Sequence, residues 1–233
     1  MRISEVFHSI QGEGLHAGTP SVFLRTTGCN LRCWFCDTPE TSWQPQGSTR
    51  DWEALVEQVG SFECRHVVLT GGEPLLQPDV VPLTRALHQR GHIVTIETAG
   101  TVFRPVQADL VSLSPKLANS TPWTLPAAYP RSERWAVRHE RDRDNPAVIE
   151  QFVDSYEYQL KFVVDRLEDV DEVDEYLSRF STVPPERVWL MPQAITAAGI
   201  AEKNAWIIPA AEQRGYHVSP RLHIELFGNK PGT

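Results

Sequence analysis

Three of the chain's four cysteines stand in the eight residues CNLRCWFC, 29–36. Thiolates are soft ligands that select zinc, copper(I) or iron–sulfur clusters. Three suits neither of the commoner uses. A disulfide framework needs an even count, and a structural zinc site needs four ligands. A [4Fe–4S] cube usually takes four cysteines, so three would leave one iron open to a small chelating molecule that could receive an electron. The plainer alternative is a zinc site completed by Cys64 or a histidine. Cys64 lies in SFECRH, remote from 29–36 in sequence, and reads instead as a small buried hydrophobe.

Other stretches carry polar chemistry. TGGEP, 70–74, has paired glycines that let a backbone approach a ligand closely, and Glu73 could accept hydrogen bonds from an ammonium group. Taken alone, it is a tight turn with a helix cap. SIQGEG, 9–14, suits an irregular loop hugging a ligand, or else a hairpin. Arg25 presents a fork that suits a carboxylate or a carbonyl, or else a surface ion pair.

Elements must bring these stretches together. Strands are expected at 21–27, 66–70, 92–97, 109–114, 158–164 and 187–191. Helices are expected at 51–59 with Ser48 or Thr49 as cap, at 78–91 with Val80, Leu83 and Leu87 on one face and Gly91 at the stop, and near 146–155, 168–180 and 200–214. The charge run 138–145, RHERDRDN, reads as a solvated loop. Alternation of strand and helix argues a parallel sheet. Six or seven strands, and only about 11 residues between Glu97 and Asp109, fall short of a closed eight-fold barrel of ~250 residues. The expectation is α/β, an abbreviated partial (β/α) barrel in one domain, 1–233. In such folds the loops after the strands build the site, and the cysteines, Gly71 to Glu73, Glu97 to Gly100, Ser114 to Lys116 and Met191 to Ala194 all fall there.

The 233 residues are 41% apolar with a formal net charge of -8. That composition can bury a core and disfavours nonspecific nucleic-acid binding, which rests on Lys and Arg neutralising phosphates. The N-terminal stretch has no signal-peptide pattern and no run approaches the ~18–20 apolar residues of a membrane span. The expectation is a cytoplasmic protein that acts on a small molecule, with no direct nucleic-acid partner and no membrane.

CNLRCWFC resembles the CxxxCxxC signature of the radical S-adenosylmethionine (SAM) enzymes. The resemblance implies a [4Fe–4S] cluster on Cys29, Cys33 and Cys36, SAM chelating the open iron, Phe35 near the adenine, and the GGE stretch holding the methionine amino group. SIQGEG, RTTGCNLRCWFCDT, TGGEPLLQ, IETAGT, LSPK and the late GNK together resemble the 7-carboxy-7-deazaguanine synthase family. The match runs from residue 3 to about 230, strong at the motifs and loose over 119–157. It implies conversion of 6-carboxy-5,6,7,8-tetrahydropterin to 7-carboxy-7-deazaguanine, on the pathway to queuosine and other 7-deazapurines. A 5'-deoxyadenosyl radical takes hydrogen from C6, the ring contracts, and ammonia leaves. SAM is implied to be regenerated, Mg2+ to be required, and an electron donor such as flavodoxin or ferredoxin and a homodimer to be the partners.

The resemblance also assigns positions. Ile10, Gln11, Gly12, Glu13, Arg25 and Thr70 would contact substrate. Gly72, Glu73, Ser114, Pro115, Lys116, Met191, Pro192, Gln193 and Ala194 would join Phe35 at SAM, and Thr38 would hold Mg2+ with waters. Near the C-terminus RLHIE keeps His223 but places Arg221 and Ile224 beside it, where the family often has a Gln-x-His-Lys run. Glycyl-radical activating enzymes share the three-cysteine loop but give no reason for SIQGEG or for the threonine in CDT. A zinc-stabilised binding module is the reading from another class. Residues 119–157 fit a family-variable insertion, a lid or a dimer contact equally well.

Overall fold

In the computed structural model, which describes residues 1–123, 132–230 and 232–233, one twisted sheet carries the site. Its strands are β1 (Arg2–Ile10), β2 (Pro20–Thr26), β3 (Ser48–Thr49), β4 (His66–Gly71), β5 (Ile93–Thr98), β6 (Leu110–Leu113), β7 (Tyr158–Val164), β8 (Val188–Pro192) and β9 (His217–Val218). They lie in the order β3-β1-β2-β4-β5-β6-β7-β8-β9. All neighbours from β2 to β9 are parallel, whereas β1 runs antiparallel to β2 and β3. This is the expected partial (β/α) barrel, left open. Among the described residues no helix is long and apolar enough to cross a membrane.

The helices are α1 (Trp52–Gly60), α2 (Val80–Gln89), α3 (Ser132–Arg143), α4 (Pro146–Ser155), α5 (Glu168–Leu177), α6 (Ala197–Arg214) and α7 (Leu222–Phe227). No helix separates β5 from β6, as the short connection required. Gly91, two residues past α2, has φ +82°, the left-handed conformation of a helix stop.

Strand residues on one face are apolar and fully buried: Val22 and Leu24, Val67 and Leu69, Val94 and Ile96, Val111 and Leu113, Leu160 and Phe162, Val188 and Leu190. They pack in one cluster with Leu55, Leu83, Leu87, Val170, Val173 and Ile207 from the helices. Successive strand residues point to opposite faces, so the alternate positions face the concave side. There the register sets Arg25 beside Thr70, Glu97 beside Ser112, and Ser112 beside Gln159. The helix side therefore drives folding by apolar burial, and the concave side is free to carry polar chemistry.

Three local expectations are corrected. Ser48 and Thr49 form β3 and do not cap α1; Asp51 occupies the N-cap. A strand not expected, β1, precedes the one at 21–27: Ser9 and Ile10 end it, and SIQGEG makes the bend of an antiparallel hairpin with β2, the second of its two readings. The charge run at 138–145 is helical through Arg143, with His139 buried. Part of the 119–157 segment, 124–131, lies outside the described residues.

Candidate active site

The three cysteines line one cavity of about 180 Å3, reached by the loops after β2, β4, β5, β6 and β8. Phe35, Thr38, Thr70, Gly72, Ser114, Lys116, Met191 and Gln193 line it too. A second cavity of about 360 Å3 adjoins it and is lined by Ile10, Gln11, Gly12, Glu13, Arg25 and Thr70, every substrate candidate. Glu13, Asp37, Thr38, Thr70, Gly71 and Glu97 line both cavities and form the wall between them. Glu73, Pro115, Pro192 and Ala194 do not line either.

The cysteine loop is shaped by hydrogen bonds. Leu31 N donates to Cys29 Sγ (3.4 Å), Ser42 Oγ to Cys36 Sγ (3.1 Å), and Cys36 N to Cys33 O (3.3 Å). Burial pushes all three thiols up, Cys33 to about 12, with neighbouring cysteines adding to the rise at Cys29 and Cys33 and Asp37 adding to it at Cys36. Left alone, these groups stay protonated. An iron–sulfur cluster would reverse that, because a coordinating thiol is deprotonated outright, and donors aimed at the sulfurs suit the resulting thiolates. Among the described residues no three His, Cys, Asp or Glu gather closely enough for a single metal ion. Cys64 is no fourth ligand: it is half-buried before β4, at the other end of the strands, and its thiol donates to Pro20 O (3.3 Å) and His66 O (3.5 Å). Three thiols on one cavity wall fit a cluster with an open iron.

The glycines of TGGEP serve a closer partner than a ligand. A Cβ on Gly71 would sit 2.1 Å from Thr26 O, and one on Gly72 would sit 2.3 Å from Gly28 O. Gly72 N and Glu73 N donate to Thr26 O (3.2 Å) and Gly28 O (2.9 Å). The turn is thus stitched to the base of the cysteine loop. Glu73 is fully buried, and its carboxylate accepts from Leu75 N (3.1 Å), Thr98 Oγ1 (2.8 Å) and Ala99 N (2.9 Å). Burial raises its pKa against those three bonds. It joins TGGEP to ETAG.

The second cavity is built on charge. Glu13 pairs with Lys161, and with Arg221 Nε at 3.2 Å. Arg221 also pairs with Asp37, next to Cys36, and donates to Ala194 O (2.5 Å). Lys161 and Arg221 are both buried. Burial raises the Glu13 carboxyl, but Lys161, Arg221 and His223 outweigh it and hold it well below the usual range. Burial lowers Lys161, and Glu13 and Glu97 more than restore it. Glu97 accepts from Gln11 Nε2 (2.9 Å) and Thr70 Oγ1 (2.8 Å). Arg25 Nε donates to Glu5 Oε1 at 2.6 Å, both on the cavity wall. The glycines of SIQGEG meet the chain's own side chains: a Cβ on Gly12 would fall 2.0 Å from His223 Nδ1, and one on Gly14 would fall 2.2 Å from Gln159 Nε2.

Sequence reasoning missed Lys161 and Asp37 and placed Glu97 only as the start of the ETAG loop, without its bonds to Gln11 and Thr70. Lys161 had a signal. Gln159 and Lys161 are the polar alternate positions of YQLKFVV, a strand whose other face is apolar.

Residues 23–116 match the radical SAM superfamily. A 7-carboxy-7-deazaguanine synthase of Halobacterium salinarum is 44% identical over 99% of this chain and 92% of its own length. That of Rhodopirellula baltica is 45% identical over 99% of this chain and 88% of its own. The chain belongs to the 7-carboxy-7-deazaguanine synthase family. The crystal structure of QueE from Escherichia coli superposes with a TM-score of 0.69 at 26% identity, covering 94% of this chain and 92% of that one. Membership in this radical SAM family implies a [4Fe–4S] cluster and SAM, and the thiol-lined cavity is where this chain's residues fit them.

Proposed function

We propose that this chain converts 6-carboxy-5,6,7,8-tetrahydropterin to 7-carboxy-7-deazaguanine with loss of ammonia. The observation that carries the reading is the shared wall: a cavity with three thiols and a polar cavity that gathers all six substrate candidates have Glu13, Asp37, Thr38, Thr70, Gly71 and Glu97 in common. Bound on Cys29, Cys33 and Cys36, a [4Fe–4S] cluster with SAM supplies a 5'-deoxyadenosyl radical able to take hydrogen from C6 of the pterin.

The chain's residues bind and orient. Phe35, Gly72, Ser114, Lys116, Met191 and Gln193 hold SAM at the thiol end, and Lys116 is positioned by its bond to Ser114 Oγ (2.6 Å). Pro115, Pro192 and Ala194 shape those segments, and Glu73 fixes the ETAG turn that walls the site. In the second cavity Arg25, oriented by Glu5, takes the substrate carboxylate. Gln11 and the backbone of Ile10 and Gly12 read the pterin's donor and acceptor edge. Glu13 stays ionised between two buried cations, so it accepts hydrogen bonds from pterin N–H groups without exchanging protons. Thr70 and Glu97, bonded to each other, stand where the two ligands meet. Thr38 would be the protein ligand of one Mg2+, a cation that usually keeps several waters, and the metal would offset the charge of the substrate carboxylate. Residues 1–233 act as one domain, with 119–157 a family-variable part of it. The chain works in the cytoplasm as a homodimer, with a carrier such as flavodoxin or ferredoxin delivering the electron.

The test is one anaerobic turnover read by mass spectrometry, with reconstituted protein, SAM, Mg2+, a reductant and the pterin. The expected products are 7-carboxy-7-deazaguanine and ammonia. Formation of 5'-deoxyadenosine and methionine alone would refute the substrate and leave the cluster assignment standing.

A further inference from the structure

We propose that α3 is the arm that holds the cysteine loop in its cluster-binding shape, with His139 and Trp135 as positioning residues acting through Arg32. The inference rests on the reading of Cys29, Cys33 and Cys36 as cluster ligands, and on no assumption about the substrate.

The backbone on both sides of Cys33 is tied down, Arg32 directly to α3 and Trp34 to the 118–120 turn, which His139 bonds through Ser120. Arg32 N donates to His139 Nδ1 at 2.9 Å. Trp34 N donates to Ser120 O at 3.1 Å, and Trp34 Nε1 to Asn119 O at 2.7 Å. His139 is 1% exposed, and its two partners define its state. Ser120 Oγ gives its hydrogen to Leu117 O (2.6 Å), so it accepts from His139 Nε2, 2.9 Å away. The ring is therefore neutral, with Nδ1 open to the Arg32 amide.

The Arg32 side chain completes the grip. Its NH1 donates to Cys29 O and Leu31 O, each at 2.7 Å. Its guanidinium lies 4.1 Å from the Trp135 ring centroid and 5.9 Å from that of Trp43, the geometry of a cation–π contact. At the far end of α3, Arg143 NH1 donates to Lys116 O (3.0 Å), and Glu140 accepts from Thr121 Oγ1 (2.6 Å). One helix thus spans from the first cluster ligands to the Ser114–Lys116 segment at the SAM end of the cavity. A loop whose own backbone bonds are few has its shape supplied from outside.

The experiment compares the full chain with His139→Leu, His139→Asn and Trp135→Leu after anaerobic cluster reconstitution. The readouts are iron per chain, the electron paramagnetic resonance spectrum of the reduced cluster, and the half-time of bleaching in air. His139→Leu leaves the Arg32 amide buried and unpaired, and bleaching is expected to be roughly tenfold faster with an altered spectrum. His139→Asn keeps an acceptor near the Nδ1 position and restores the bleaching time to within about twofold of the parent. Trp135→Leu removes only the ring over Arg32, and is expected to bleach about threefold faster. If His139→Leu does not fold, Trp135→Leu decides. Parent-like bleaching and spectra in Trp135→Leu and in any folded His139→Leu would overturn the role of α3. A parent chain that takes up no iron would overturn the cluster reading itself, and with it this inference.

Discussion

The two ends of the cavity are held together by opposite physics. At the thiols the bonds to sulfur come from neutral groups, Leu31 N and Ser42 Oγ, while the Arg32 guanidinium bonds the loop backbone at Cys29 O and Leu31 O. Around Glu13 the partners are ions: Lys161, Arg221 and, through Arg221, Asp37. At the charged end each buried ion already has its counter-ion from the chain's own residues. At the thiol end burial holds the three reactive groups protonated, the wrong state for ligation. One end is finished by the fold, and the other is finished by what binds there.

The largest effect that would break this contrast is at Lys161. Lys161→Met leaves Glu13 with Arg221 and His223 and removes half of a buried pair, which typically costs about 3–5 kcal/mol. Urea unfolding of the metal-free chain should show that loss, and a change under about 1 kcal/mol would mean the charged end is not preformed by its ion pairs.

Next in size, acid should act on the buried histidines before it acts on Glu13. Burial, with Arg143 nearby, lowers His139 from its ordinary 6.5 to about 4. Between those values the unfolded chain binds more protons, so the stability His139 gives is complete above about pH 6.5 and lost as pH falls toward 4. The loss is on the order of 3 kcal/mol at most. His223 and His16 are lowered too, mainly by burial, and act in the same direction. Glu13, held below its ordinary 4.5, gives stability that is present above that value and lost only as pH falls further. Urea midpoints of the metal-free chain should therefore fall in two stages. His139→Asn should shrink the first stage and leave the second, and an unchanged profile would contradict the assignment.

A smaller effect sharpens the substrate end. Arg25→Lys keeps the charge beside Glu5 but loses the planar fork. KM for the pterin should rise about tenfold with kcat less affected. Equal loss in kcat and kcat/KM would instead place Arg25 in the transition state.

Much of this site is written locally in the chain. The strand of residues 158–164 is marked at both ends by its apolar run, and once strands are placed, the loops following them collect the cysteines, TGGEP, LSPK and MPQA. What escaped has no local signature. In α3 the inward positions are Ala136, His139 and Arg143, a helical spacing carried mostly by polar residues, so no apolar stripe announces it. β1, RISEVFHSI, mixes charge with half-buried positions and depends on β2 for its pairing. Glu13 meets Lys161 and Arg221 across 148 and 208 residues of chain. Such contacts exist only after the sheet brings its ends together.

Hydrogen exchange on the metal-free chain, and again with cluster and SAM bound, tests the contrast between the two ends most directly. Amides of 29–36 other than Arg32 and Trp34, which His139 and Ser120 O already hold, should gain protection at least about tenfold on loading, because the bound group completes that loop, while amides of 9–14 change by less than about twofold. Equal gains in both segments, or a cysteine loop already fully protected without its cluster, would contradict it.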